Sequence, residues 1–595
     1  MARTMQEMKE LISCGLGQTP CDLKLTNLKL VNVFSNEIYE TDIYIKGKRI
    51  VSIDPDAKLK SHRVIDCKGR YAIPGFIDGH MHFESTMLSP EALSSVVVPQ
   101  GTTTLLADLM EIANAAGEEG LKEMIRSIDA LPYRLMVEVS SRVPTAPGLE
   151  TAGAVLGAKE VAAMMKWEES VSLGEMDSSK ILISKEDEYL EKILCALKER
   201  KVVNGHAIGR LGQELNIYAS SGISDDHECV TGRELIERLR VGMKILIREG
   251  STERNVDELI QAVLDEHLDF ENLMFCTDDK HIGEIRKEGH INYNVNRSIQ
   301  LGVPPVKAIQ MATINTARHF RLEDEIGSIT PGRLADIILA DDITDIHPAA
   351  VIFEGAVAAE NGALSRQVPA ASYPEWIKNT VHLKNPITAR SFALPVKNHK
   401  DEQPSRARVR VIRLIERQII NQAADAWLPV ECGLVQNDVE HDILKLAVVE
   451  RYGKTGGVGI GFVSGFRLTK GAMAYSMSHD HHNIVAAGTN DEDMALAVNC
   501  VAEMKGGLCT ACNGRISAQM ELPVGGLMSE KTADEVELEL ERLNKEAAGL
   551  GCPLPAPFMT LSFISLPTVP ELGLTDMGLI DVPEHRLIDT VIETK

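Results

Sequence analysis

Between residue 71 and about residue 320 the chain repeats one unit eight times, an apolar run followed by a helical stretch. The runs are "YAIPGFIDGH", "TTTLLAD", "YRLMVEVSS", "VSLGE", "KVVNGH", "SGISDDHE", "MKILIREGS" and "NLMFCTDD". Eight buried-type strands alternating with helices predict an α/β fold, a parallel (β/α)8 barrel of the TIM-like type. Few other arrangements satisfy so regular an alternation.

The barrel does not use the whole chain. At 595 residues the sequence exceeds what one core holds, so two to four domains are expected. Residues 22–72 read as short strands with turns, with period-two alternation in "ETDIYIKGKRIVSI" and Gly47 at the turn. Residues 327–383 return to that texture and are expected to complete the same small β domain, leaving 73–326 for the barrel. The polar stretch 384–407 reads as a linker. Residues 408–595 mix strands such as "GVGIGFVSGF" with helices such as "DEDMALAVNCVAEMKGG", which predicts a separate C-terminal α+β domain.

Charge narrows the function. The formal net charge of −24 argues against a nucleic-acid surface or an anionic membrane patch, because phosphates would be repelled. No run of about 18 apolar residues is present, so no membrane span is expected. The N-terminus lacks a signal-like apolar stretch, and the 11 scattered cysteines read as reduced thiols. Together these predict a cytoplasmic protein. "CTAC" at 509–512 has no second CxxC and reads as structural. "GKT" at 453–455 lacks the glycine that a phosphate loop needs at position 448, which is Val.

Side chains at the C-terminal ends of barrel strands converge on one mouth. The first run ends in His80 and His82, whose period-two spacing turns both imidazoles to one side. The second ends in Asp108, followed by Glu111 and Asn114. Further runs end in Glu175, His206, His227, and Asp278 followed by Asp279. One HxH is weak; four His, one Glu and one Asp at strand ends point to a metal site. Nitrogen and carboxylate donors of this kind suit Mn, Fe or Zn. Two cations need a shared anionic ligand, and Glu175 is read as the only carboxylate placed to bridge them.

The segments "PGFIDGHMHFESTM", "GEM", "GHA", "SDDHE" and "FCTDD" resemble the amidohydrolase superfamily and, within it, the bacterial adenine deaminases. "INTARHF" with "GSITPGRLADIILADD" is similar to that family's exit from the barrel. "HDHHNIVAAGTNDEDMALAV" and "PFMTLSFISLPTVPELGLTD" resemble its C-terminal domain, so the likeness spans about residues 22 to 585. It implies two divalent cations, Mn2+ or Fe2+ first and Zn2+ as the alternative, held by His80, His82, Glu175, His206, His227 and Asp278. It also implies hydrolysis of adenine to hypoxanthine and ammonia by a metal-activated water that attacks C6. Asp278 then serves as proton shuttle, a role left open to Asp279 as well. Glu111 either protonates ring N1 or orients a ligating histidine. One departure stands out: Leu109-Met110 occupies the place of an expected Pro-His, removing a donor beside the site.

The C-terminal "SHDHHNI" permits a second metal site, with His479 and His482 as contributors, but is read in preference as a cap on the barrel mouth or a domain interface. Asp108 and Asn114 are further auxiliary candidates. The rival activity is another binuclear amidohydrolase cleaving a cyclic amide or N-acyl compound. A small-molecule purine is the expected partner, without nucleic acid or membrane, and a homodimer is expected from the added domain.

Overall fold

A computed structural model describes residues 3–396, 404–415 and 420–595. The eight runs form eight strands: β1 Phe76–Met81, β2 Thr102–Asp108, β3 Arg134–Val139, β4 Ser170–Asp177, β5 Val202–His206, β6 Asp225–Asp226, β7 Lys244–Arg248 and β8 Leu273–Cys276. All ladders between them are parallel, in two arcs, β1 to β5 and β6 to β8. The arcs join where Ser224 donates its N–H to Val203 O (2.9 Å). They close at the other end where Asp278 N–H donates to His80 O (3.1 Å) and His82 N–H to Asp278 O (3.2 Å). The expected barrel is present.

Every residue of β1 to β5 is buried. That explains why these strands read as continuous apolar runs instead of alternating ones, since helices cover the outside and side chains fill the inside. The interior is graded along the barrel axis. Ile77, Leu106, Met136, Val171 and Val202 form an apolar plug toward the N-terminal ends. The polar residues of the motifs gather at the opposite ends.

The flanking segments share one eight-stranded sheet, in which Ile337–Ala340 lies antiparallel to Ser61–Pro74, itself parallel to Cys21–Asn32. A buried ion cluster fastens this sheet to the barrel: Arg134 of β3 donates to Asp336 (2.9 Å) and Glu354 (3.1 Å). Ahead of it, Cys14 and Cys21 stand side by side with Cα atoms 5.8 Å apart, and the other nine cysteines are free.

Beyond residue 404 the described residues form a ten-stranded mixed sheet with helices Asp491–Glu503 and Ala533–Gly549. The stretch expected as a linker behaves differently from a free tether. Residues 397–403 lie outside the described residues, but Ile387 and Phe392 are buried in one core with Met494, Val498 and Val501. Asn499 pins the segment by accepting from Ile387 N–H (3.2 Å) and donating to Ile387 O (2.7 Å).

Gly205 illustrates how tightly the strands meet. A Cβ there would lie 2.1 Å from Asp225 O, a backbone atom of β6. Gly205→Ala is therefore expected to destabilise the fold by about 1–3 kcal/mol through overpacking, measured as a lowered denaturant midpoint with unchanged slope.

Candidate active site

The mouth of the barrel holds a cavity lined by His82, Glu175, His206, His227 and Asp278, with Glu111 and Asp279. Its construction starts with backbone. Asp226 of β6 accepts N–H donors from Ala207 (2.8 Å) and Glu228 (3.1 Å). The buried Arg238 guanidinium closes the hub, donating to Asp226 (2.6 Å) and to Ala207 O (2.5 Å). The strand ends carrying His206 and His227 are thereby set in register. Gly174 does similar work on β4, because a Cβ there would meet the Asp108 carboxylate at 2.3 Å. Asp108 uses that space to accept from Glu175 N–H (3.3 Å), and its carbonyl lies 3.0 Å from His82 Nδ1.

Six sequence-expected residues converge. The two oxygens of Glu175 face different imidazoles: Oε1 is 3.4 Å from His82 Nε2, while Oε2 is 2.9 Å from His206 Nδ1 and 3.1 Å from His227 Nε2. Asp278 Oδ1 lies 3.8 Å from His82 Nε2 and 4.0 Å from His80 Nε2. His80 is fully buried and its Nδ1 is 2.5 Å from Glu138, yet its Nε2 has no hydrogen-bond partner. An orphaned, inward-facing imidazole nitrogen braced by a carboxylate on its other side is the arrangement of a metal-ligating histidine. Clusters His80–His82–Asp278 and His80–Glu175–His227 each place three donor atoms within 4.8 Å. The donor set fits divalent cations.

Electrostatics agree. Burial disfavours a charged imidazole, yet Glu228 and Glu175 carry His206 up to about 10, and neighbouring carboxylates raise His82 and His227 too. His80 goes the other way, lowered to about 4 by burial and by its imidazole neighbours. Burial alone would raise Asp278, but the Arg248 guanidinium, 2.9 Å away, and the imidazoles around it hold it below the ordinary carboxylate range. Asp279 is pushed up to about 7 by burial and by Asp278, against the opposing pull of His479; it accepts a hydrogen bond from Ser85 Oγ.

The reading of Glu175 as the only bridging carboxylate needs correction. Glu228 stands 3.1 Å from His206 Nδ1 and 3.4 Å from His227 Nε2, and these three make a further donor cluster. Arg248 grips it at 2.8 Å and thereby ties Glu228 to Asp278. Glu138, Arg142 and Arg248 also escaped the sequence reading. The signal was available: a charged residue toward the C-terminal end of an apolar run, as in "LMVEV" and "ILIRE", needs a buried partner, and at that end of a barrel strand the mouth supplies one.

The auxiliary candidates separate. Glu111 is buried between His82 Nδ1 (3.4 Å) and His479 Nδ1 (3.6 Å), with neither carboxylate oxygen hydrogen-bonded. Asn114 donates to Asp480 O (3.0 Å), docking the C-terminal loop on the barrel. His479 lines the cavity, whereas His482 is buried behind it and does not. Met110 lines the wall. The "SHDHHNI" loop thus brings His479 and Asp480 to the mouth as a cap would, and His479 also forms a three-donor cluster with Glu111 and Asp279, as the second-metal reading requires of it.

A barrel whose strand ends gather histidines and carboxylates in this way defines an amidohydrolase, and residues 71–364 match the amidohydrolase family. Residues 418–586 match the adenine deaminase C-terminal domain. Over 595 residues the chain is 53% identical to the adenine deaminase of Desulforamulus reducens, covering 100% of both. It is 39% identical over 581 residues to that of Dehalococcoides mccartyi, covering 98% of this chain and 99% of the other. The chain belongs to the adenine deaminase family.

Removing Arg238 would strand Asp226 as an unpaired buried charge. Arg238→Met is expected to cost about 3–5 kcal/mol of stability, read by chemical denaturation.

Proposed function

We propose that the chain catalyses the hydrolytic deamination of adenine. Water adds to C6 of the purine, the exocyclic nitrogen leaves as ammonia, and hypoxanthine is released. The observation that carries this reading is the placement of Glu175, whose two oxygens address separate imidazoles in the cavity at the barrel mouth.

Two divalent cations, Mn2+ or Fe2+ with Zn2+ as the alternative, would be held by His80, His82, Glu175, His206, His227 and Asp278; the all-nitrogen-and-oxygen donor set supports that choice. Bound there, they supply Lewis-acid activation of water at neutral pH. The chain's own groups handle the protons. Asp278, kept ionised by Arg248, takes a proton from the attacking water and returns it to the departing nitrogen. In one role Glu111 delivers a proton to ring N1 as C6 becomes tetrahedral and regains one from the new C6 hydroxyl as ammonia departs; in the alternative it stays beside His82 Nδ1, 3.4 Å away, as a partner of that imidazole. Asp279, which accepts a hydrogen bond from Ser85, is the other candidate for the shuttle.

No helix among the described residues is long and apolar enough to cross a membrane. A cytoplasmic location is proposed with the activity, supported by the nine free cysteines. A homodimer is proposed too, supported by the exposed apolar stripe of Leu190, Leu194 and Leu197 on helix Asp187–Lys198. Light scattering of the purified chain is expected to give the mass of two chains.

Mn-loaded protein is expected to release ammonia from adenine and no acid from hydantoin or dihydroorotate; the reverse outcome would select the cyclic-amide reading. Asp278→Asn is expected to keep most bound metal while kcat falls about 10²- to 10⁴-fold. Turnover equal to that of the unaltered chain would refute the shuttle role.

A further inference from the structure

The cavity has two unlike walls. The barrel supplies imidazoles and carboxylates; the C-terminal domain supplies His479, Asp480, Phe563, Leu566, Thr568 and Val569. Phe563, Leu566 and Val569 make half of the second wall apolar, and His479 offers it an imidazole whose Nδ1 is already turned toward acids, 3.6 Å from Glu111 and 3.7 Å from Asp480. That leaves Nε2 as the nitrogen able to address a ligand.

The side chain is held firmly. Its ring stacks on Phe563 at 4.5 Å between centroids and 18° between planes, and its backbone N–H donates to Ser562 O (3.0 Å). The next residue is fixed from the barrel side. Arg142 donates to the Asp480 carboxylate (3.3 Å) and also to Glu175, while Asn114 donates to Asp480 O (3.0 Å). His479 is thus tied through Arg142 to the carboxylate at the centre of the donor set, yet it belongs to a different domain.

We infer that His479 is a specificity-determining residue that binds a ring nitrogen of the purine through Nε2, with Phe563 as the positioning residue that holds its plane. The inference rests on the adenine reading and extends it, since it assigns recognition of the base to the C-terminal domain. A planar base carries ring nitrogens around its edge that accept or donate, and a fixed imidazole can do either. A site built to make that bond rejects ligands lacking the partner, because the buried nitrogen is then left unpaired.

The test uses Mn-loaded full-length chain and reads KM and kcat for adenine, the dissociation constant of hypoxanthine, metal content and thermal midpoint. His479→Ala is expected to raise both KM and the hypoxanthine constant about tenfold, the scale of one lost hydrogen bond. In that variant kcat should change less than about threefold, with metal content unchanged. His479→Gln, whose amide nitrogen reaches near the Nε2 position, should recover most of the affinity. Phe563→Ala should shift the same two constants in the same direction. Unchanged KM and hypoxanthine binding in His479→Ala would overturn the inference. So would loss of metal from that variant, which would make His479 a ligand instead. If the unaltered chain fails to deaminate adenine, the underlying reading falls; if it succeeds and His479→Ala binds hypoxanthine as well, only this inference falls.

Discussion

Seven carboxylates and two guanidiniums share one buried cavity at the barrel mouth. Like charges at close range in a low-dielectric site cannot all remain ionised without positive partners. The rest of the site reads as a response to that crowding. Arg248 neutralises Asp278 and Glu228 together, Arg142 does the same for Glu175 and Asp480, and burial leaves Glu253 up at about 8. What remains is a pocket whose imidazoles are drawn toward positive charge. A divalent cation bound there would compete with protons for the same nitrogens, which would couple its occupancy to pH.

The same residues join the domains. Arg142 follows β3 of the barrel and reaches Asp480 of the C-terminal loop; Asn114 and Tyr452 reinforce the contact, the tyrosine hydroxyl donating to His481 O (2.9 Å). Thr151 and Asp576 make a second bridge at 2.7 and 2.9 Å. The interface between barrel and cap is therefore polar and specific at its centre, which suits a surface that must also leave a cavity.

The barrel was legible because its strands are buried on both faces and so read as eight uninterrupted apolar runs. The strand-end histidines, Glu175 and Asp278 were legible for the same reason, each closing a run. Glu228 was overlooked although it directly follows His227, because the reading took one donor per strand end. Glu138 and Arg248 were hidden by counting them as part of an apolar run. The packing of Ile387 and Phe392 was obscured by the polar residues around them, a composition that suggests a tether when only a few side chains are buried. Pairing across hundreds of residues, as between Arg142 and Asp480, leaves no local trace in the chain.

The roof of the cavity is encoded some 200 residues after its floor. Synthesis proceeds at roughly 5–20 residues per second, so about 10 to 40 s separate the emergence of Asp278 from that of His479. During that interval a barrel with all its donors already made would stand open to solvent, its acids unscreened by the cap. Closure of the mouth is thus a late event in biogenesis. A nascent chain has time to meet cations from the surrounding medium before the lid arrives.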